Sequence, residues 1–595
     1  MAIEKPNTFQ SRQPVALPDP AGAFLALAFP AGAPPLSEDQ RLSLAEACFG
    51  TRRLRPAEMT PDSRLIARYG ALNCLRQGLL PVRRAGGLVL VATSEPERFA
   101  DRRAGLAAAL GGRVAMVLAS TVQIEAALLQ ACGPELARVA ESRVRLDESC
   151  RTWGGPDLRA GALALVMAFA GMAFFDPILP GLILVVAAVL ALLSGFVLKL
   201  AALRAALRPP PKEPPPPLIA RLPVVSVMVA LFREGDIAAR LVERLSRLDY
   251  PRDLLDIVLV VEEQDHLTRN ALAVADLPGW MRTVAVPHGA VKTKPRALNH
   301  ALDQCRGSII GIYDAEDAPE PDQIRKVVTR FHSRGPQVAC LQGRLDYYNP
   351  CTNWISRCFT LEYAAWFRVL LPGVARLGLM VPLGGTTLFF RRPVLEELGG
   401  WDAHNVTEDA DLGIRLFRRG YRTEILDTVT YEEANCRPVA WVKQRSRWIK
   451  GYMMTWAVHM RNPVLLCRQI GFRRFAGFQV QFLATLLSQL LAPVIWLFWL
   501  QPFGLDHPMT GPVPWALAMT VAVMFFLSTL LDMAVTLIAR RRAGHRFSPL
   551  WILAQHAYFP LATLAAYKAL REMITAPFYW DKTSHGHFDQ PQSPH

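Results

Sequence analysis

The pattern of apolar and polar positions divides the chain into stretches of different kinds. Residues 1–36 are Pro- and Ala-rich and predict a poorly ordered tail, and Met1–Pro20 is polar, so no cleavable signal peptide is expected. From Leu36 to about Gly133 a small α/β domain is expected, assigned to 37–150 with its flank. Apolar positions at Leu42, Leu44, Ala45 and Ala47 predict a helix, and Gly87–Ala92 and Val114–Ala119 read as strands. Two apolar runs follow, Gly161–Phe175 and Ile178–Leu198, joined by a turn without Lys or Arg. Arg151 and Arg159 precede them and Lys199, Arg204 and Arg208 follow, which predicts a transmembrane hairpin over 159–202 with both flanks cytoplasmic. A buried soluble hairpin is the alternative. A stiff Pro-rich spacer occupies 209–217.

Strand and helix then alternate over 218–460. Val224–Ala230, Asp256–Glu263, Thr283–Val286 and Ser308–Tyr313 read as strands, and Asp236–Leu248 as a helix. This order predicts a mostly parallel sheet with ligands at the carboxyl ends of its strands. Thr352–Leu371 and Pro438–Met460 read as amphipathic helices, lying on a membrane or buried. Phe478–Leu500 and Trp515–Ile538 predict a second transmembrane hairpin over 478–540. Leu550–Ala566 holds Gln555, His556 and Pro560, and Lys568, Arg571 and Lys582 follow it, so 549–586 is expected to be interfacial or re-entrant. The tail from His587 is polar and expected to be disordered.

Composition sharpens this picture. The 595-residue chain is 51% hydrophobic, with mean hydropathy +0.18 and formal net charge +15. Its arginines are scattered and flank apolar runs, which fits an anionic membrane face and an anionic substrate better than nucleic acid. The 10 cysteines form no Cys-x-x-Cys pair, so neither a zinc site nor a disulfide framework is indicated.

The candidate chemistry centres on Ile309–Asp317, an apolar strand ending in Asp314, Glu316 and Asp317. Carboxylates this close do not all stay ionised away from water without a cation. Oxygen ligands at a strand tip suit Mg²⁺ or Mn²⁺ bridging to a phosphate-bearing substrate; a solvated acidic turn is the alternative. Lys294-Pro295-Arg296 lies upstream, Thr407-Glu408-Asp409 downstream, and then Gln444-Arg445-Ser446-Arg447-Trp448.

In that order, an Asp-x-Asp-like triplet, Thr-Glu-Asp and Gln-x-x-Arg-Trp resemble the family-2 glycosyltransferases. More narrowly, the set resembles the membrane-embedded synthases of the cellulose, curdlan and related β-glucan type. The resemblance implies a Rossmann-like GT-A α/β catalytic domain inserted between α-helical transmembrane segments. It implies Asp409 as catalytic base, and Asp314, Glu316 and Asp317 as metal ligands, with Glu316 standing where the family has Asp. Glu262, Glu263, Lys294, Asp314, Gln444, Arg447 and Trp448 are implied to contact the nucleotide or its diphosphate. Glu262–Glu263 departs from the family's usual Asp-Asp. Gly384, Gly385, Thr386, Glu408 and Trp448 are implied to border the acceptor, with the indole as a flat platform for a sugar. Phe578–Gly586 resembles a C-terminal segment of such synthases, a lid or an interfacial aromatic belt.

The run Leu80–Arg83 followed by Val91–Pro96 resembles the N-terminal domain of type II secretion ATPases. Some relatives of that domain bind cyclic-di-GMP, but their Arg-Leu-Gly start is not visible here, so a regulatory or docking partner is the first expectation. The resemblance as a whole implies an inverting processive glycosyltransferase at the bacterial inner membrane, multi-pass, with catalytic and N-terminal domains cytoplasmic. Its partners would be a nucleotide sugar (UDP-glucose), the growing glycan and the bilayer, with no nucleic acid. The alternatives are addition of a single sugar to a lipid or glycan, and a secretion-associated membrane scaffold.

Overall fold

The computed structural model describes residues 19–28, 36–153, 156–209, 215, 218–235, 238–275, 277–507 and 515–579. Most of the 1–36 tail, most of the Pro-rich spacer, Asp236, Trp580–Gly586 and the tail from His587 lie outside them. By contacts the chain forms two units, Met1–Leu136 and Ala137–His595.

In the first unit β1 (Leu79–Ala85) pairs antiparallel with β2 (Leu88–Thr93), which pairs parallel with β3 (Arg113–Leu118). Both strands expected from the sequence are present, as is the helix, Glu38–Phe49, which opens on a capping box at Ser37 and Gln40. Leu79, Val89, Val91, Leu106, Leu110 and Val114 close one core, and Leu80, Val82, Ala92 and Leu128 another.

The second unit opens with residues 137–153. The sequence reading places 137–150 with the N-terminal domain, but their partners lie in the second unit. Arg143 Nη1 is 2.9 Å from Asp303, Ser149 Oγ donates to Asp402, and Arg419 pairs with Glu148 at 2.9 Å. Two apolar helices follow, Pro156–Phe175 and α1 (Ile178–Leu207). Around and after the sheet described next come α2 (Lys294–Leu302), α3 (Trp354–Ala365), α4 (Glu408–Arg418), α5 (Pro438–His459), α6 (Trp515–Ala543) and α7 (Pro560–Thr575).

The sheet comprises β4 (Val225–Leu231), β5 (Leu255–Glu262), β6 (Met281–Val286), β7 (Ile309–Tyr313), β8 (Ala318–Pro319), β9 (Val338–Tyr347), β10 (Leu388–Arg391) and β11 (Arg422–Glu432), in the order β6-β5-β4-β7-β10-β9-β11-β8. β6, β5, β4 and β7 are parallel, with Val229 opposite Leu259 and Tyr313. All eight positions of β5 are buried, which explains the apolar run Ile257–Val261 at its centre; Asp256 is buried with Arg282 and Ser226 as partners. One face packs on Leu241, Leu245, Val327 and Phe331, the other on Ala297, Leu298, Leu412 and Leu416 of α2 and α4. The expectation of a mostly parallel sheet holds for this half. Beyond it β10 runs antiparallel to both β7 and β9, and β8 antiparallel to β11, so the whole sheet is mixed. β10 returns directly beside β7, and this brings the Gly-Gly-Thr-Thr segment to the tip where Asp314 stands.

Among the described residues two helices, α1 and α6, are long and apolar enough to cross a membrane. Both leave large apolar side chains exposed, among them Leu190 and Val197 of α1 and Val523 and Phe526 of α6. The apolar part of the helix before α1, Arg159–Phe175, is shorter. Phe478–Leu500, expected to be one span, is instead a broken path. Phe472–Gln479 passes through a π turn at Val480–Ala484 into Thr485–Leu490, then breaks before Ala492–Trp496. Pro493 accounts for the second break, because it has no N–H to continue the ladder. The two amphipathic stretches form α3 and α5, and their apolar faces are covered by protein: Phe359 and Trp441 pack together with Tyr347 and Tyr558. The stretch from Leu550 is split into Trp551–Tyr558 and α7, and α7 packs along α5.

Candidate active site

Asp314 follows the last residue of β7, and a four-residue turn holds it in place. Asp317 Oδ2 accepts the Asp314 N–H at 2.8 Å and also the hydroxyl of Thr386. Asp317 is fully buried, its other oxygen has no hydrogen-bond partner among the described residues, and it does not line the cavity described below. It therefore sits behind the turn as its support, whereas Asp314 and Glu316 face the open space. Burial, with the Asp314 and Glu316 carboxylates beside it, holds the Asp317 carboxyl well above its ordinary pKa.

Lys294, the first residue of α2, reaches across to pair with Asp314 and donates to the Gly385 carbonyl at 2.9 Å. Burial works against its ammonium, but Asp314 and Glu408 outweigh this and raise its pKa. Gly384 N–H donates to Gln342 Oε1 at 2.8 Å, and a side chain on Gly385 would come within 3.8 Å of Asp409 Oδ2. That is an ordinary contact distance, and it places the Gly385 backbone beside the Asp409 carboxylate. Thr387 in the same segment has φ of 55°, a conformation that costs a β-branched residue about 1–3 kcal/mol.

Glu408 and Asp409 open α4, where the helix N-terminus favours negative charge. Burial first, then the Asp409 carboxylate, raises the Glu408 pKa to about 7. Burial likewise raises Asp409 to about 6, against the Ala410 N–H and the Lys294 cation, which favour its ionised form. Asp411 points the other way, bonded to Arg415 at 2.7 Å and His459 at 3.1 Å, and ties α4 to α5. A side chain at Gly451 of α5 would lie 2.0 Å from Thr407 Oγ1, so α5 can pass the Thr-Glu-Asp turn only with glycine there.

That close passage brings Gln444, Arg447 and Trp448 of α5 to the same space. Burial lowers the Arg447 pKa, opposed by Glu408, Asp314 and Asp409, whose field it feels. The Trp448 ring is held by Tyr363, at 6.3 Å between centroids, and by the Arg445 guanidinium at 4.9 Å. Arg445 is in turn fixed by Glu362 at 2.7 Å, and Tyr558 donates to the same oxygen at 2.6 Å. Sequence reasoning passed over Arg445, although it lies inside the motif.

These side chains line one cavity of about 810 Å³. It also takes in Phe232 and Glu234 after β4 and Glu432 and Glu433 at the end of β11. The Glu432–Glu433 pair was legible in principle, since it is an acidic strand end like Asp314–Asp317. Burial, and then Asp317 and Asp314, hold the Glu432 carboxyl well above its ordinary pKa. Away from the acids the cavity runs past Tyr452 and Gln481 to Lys199 of α1 and Asp532, Val535 and Thr536 of α6. Glu262 lines its rim but is committed to Arg296, whose Nη2 lies 2.7 Å from Oε1 and which is fully buried. Glu263 is exposed and outside the lining, so of the predicted pair only Glu262 is brought to the site.

Carboxylates outnumber cations around Asp314, and no three His, Cys, Asp or Glu among the described residues form a ready metal cage. Asp314 and Glu316 fit the two-carboxylate habit of Mg²⁺ and Mn²⁺ sites that a substrate phosphate completes.

Buried acids on helix and strand ends, an Arg and a Trp from a crossing helix, and a mixed sheet define a GT-A glycosyltransferase domain. The family described as "Glycosyltransferase like family 2" matches residues 223–451, and the MshEN domain matches 49–138. The chain therefore carries a family 2 glycosyltransferase domain preceded by an MshEN domain. It is similar to beta-monoglucosyldiacylglycerol synthase of Synechocystis, 30% identical over 305 residues, which are 48% of this chain and 60% of that one. It is also similar to a probable glucomannan 4-beta-mannosyltransferase of Oryza sativa, 24% identical over 240 residues, 38% of this chain and 43% of that one. Among solved structures it is similar to a mannosyltransferase of Pyrobaculum calidifontis in complex with GDP-Man and Mn²⁺, with TM-score 0.45 and 18% identity over 66% of this chain and 98% of that one. The chain thus spans at most 60% of the length of either curated relative.

Proposed function

We propose that the protein is an inverting, processive glycosyltransferase that polymerises a nucleotide-activated sugar, UDP-glucose in the first instance, into a β-linked glycan passed across the inner membrane. The observation that carries this reading is the continuity of the cavity, which joins Asp409, Asp314 and Trp448 to the space between α1 and α6. Residues of all three motifs, with acids from two of them, meet in one cavity, which supports an enzyme over a scaffold.

In the reaction the acceptor hydroxyl oxygen attacks the anomeric carbon from the face opposite the diphosphate. The new C–O bond forms as the bond from that carbon to the phosphate oxygen breaks, so an α-linked donor yields a β-linked product. Asp409, ionised above about pH 6, takes the hydroxyl proton. Lys294 and Arg447 face the charge that develops on the departing nucleoside diphosphate. Asp314 and Glu316 would hold the Mg²⁺ or Mn²⁺, which when bound neutralises diphosphate charge. Trp448, braced by Tyr363 and Arg445, stacks on the acceptor sugar. The N-terminal unit contains none of these residues and is assigned to regulation or localisation.

A second reading, transfer of one sugar to a lipid, is favoured by the similarity to a beta-monoglucosyldiacylglycerol synthase and by a cavity that reaches apolar helices. Incubating the purified protein with labelled UDP- and GDP-sugars in lipid nanodiscs separates the two. Polymer supports the first reading, a single-sugar lipid supports the second, and no transfer from any donor overturns both.

A further inference from the structure

The broken helical path after α5 carries polar side chains at a spacing that its apolar surroundings do not explain. Gln481, Thr485 and Gln489 recur every fourth residue, and all three line the cavity. Gln481 is only 8% exposed, yet among the described residues neither its amide nitrogen nor its amide oxygen has a hydrogen-bond partner. The amide oxygen of Gln489 is likewise buried and unpartnered. Gln479, two residues earlier, behaves differently, because its carboxamide accepts from Trp456 Nε1 at 2.9 Å and contacts the Met460 sulfur. Other polar groups farther along the cavity are also satisfied: Lys199 pairs with Asp532 at 2.6 Å, and Thr536 donates its hydroxyl to the Asp532 carbonyl at 2.8 Å.

A buried carboxamide offers two donors and two acceptor sites, and leaving them unmade is costly. Gln481 lies in the π turn Val480–Ala484, a local distortion that re-aims side chains and is frequent at functional sites. Phe482, the next residue, is stacked on Tyr452 at 4.8 Å, which anchors the turn while Gln481 faces the cavity. From Gln481 to Gln489 the helical path covers about 12 Å at the usual rise, longer than one sugar ring. An acyl chain would leave these amides unsatisfied, whereas a run of sugar hydroxyls, each both donor and acceptor, would pair with them.

We propose that the Gln481–Thr485–Gln489 face is the hydroxyl-binding wall of the acceptor path and that its ligand is an oligosaccharide chain. This rests on the glycosyl-transfer reading above and names the acceptor class within it. The test is the Gln481→Leu/Gln489→Leu double variant in nanodiscs, with Thr485→Val as a milder companion. Donor binding is measured with UDP, chain binding with short β-linked gluco- and manno-oligosaccharides, and product length with labelled donor. The expected result is oligosaccharide affinity lower by about tenfold, the effect of losing two ordinary hydrogen bonds, together with shorter product. UDP affinity should be unchanged and the melting temperature no lower, since the replaced amides hold nothing in the protein. A wild type that polymerises and a double variant with unchanged chain affinity and length would overturn this inference alone. A lowered melting temperature with lost UDP binding would also overturn it, by giving the glutamines a packing role. A wild type that only adds one sugar to lipid would overturn the polymer reading itself.

Discussion

The pH dependence of transfer follows from one carboxylate. Burial raises the Asp409 pKa to about 6, and the Lys294 cation works against that rise. The base acts ionised, so kcat/KM should be full above the pKa and fall tenfold per pH unit below it, to about one-tenth of its maximum at about pH 5. kcat/KM is the parameter to measure, since it reports the free enzyme. Asp409→Asn removes the base and should cost about a hundred- to ten-thousand-fold, or about 2.7–5.5 kcal/mol of transition-state stabilisation. UDP affinity should stay near wild type. Lys294→Met supplies the sign check. A nearby cation favours the carboxylate, so its loss raises the Asp409 pKa further and moves the acid limb to higher pH. The assay is initial-rate transfer of labelled sugar at matched protein levels across a buffer series of constant ionic strength. A flat kcat/KM from about pH 5 to about pH 8, or an acid limb that moves down in Lys294→Met, would refute the assignment.

Other consequences are open to equally direct tests. Gly451→Ala places a methyl group 2.0 Å from Thr407 Oγ1, so it should push the Thr-Glu-Asp turn away from α5 and cut kcat by more than tenfold; wild-type turnover would show that the close passage is not needed. Trp448→Ala should shorten product more than it weakens UDP binding, and Arg445→Met should do the same to a lesser degree by releasing the ring. Product of normal length from both would reduce Trp448 to a packing residue. Asp314→Ala should abolish the dependence of UDP binding on Mg²⁺ or Mn²⁺, and calorimetry showing no such dependence in the wild type would defeat the metal assignment. Deleting residues 1–136 should leave basal transfer intact. Extending the deletion to 150 should destabilise the catalytic unit, because it strips the partners of Asp303 and Asp402; equal melting temperatures for the two truncations would contradict this.

Local chemistry wrote much of this protein into its sequence. Apolar runs such as Ile257–Val261 predict buried strands because a strand covered on both faces has no polar side to show. An apolar strand that ends in Asp314 points either to a site or to a solvated acidic turn, since charge at the edge of a core needs a partner or water. Asp409 and Trp448 were legible only through the order of the motifs, by resemblance to the family. What the tertiary structure decided is which of several similar groups meet. Asp314 and Asp317 are three residues apart and chemically alike, yet one faces the cavity and the other supports it, because the turn spends Asp317 on the Asp314 N–H and Thr386. Glu262 is the last residue of β5 and Glu263 opens the turn after it, where it is exposed, so only the first reaches the site. The antiparallel return of β10 beside β7 leaves no local trace, because strand order depends on partners distant in sequence. Nor could composition distinguish Gln481 from any glutamine in an apolar helix. Its meaning comes from the π turn, the cavity and the absence of a partner among the described residues, all of which are properties of packing.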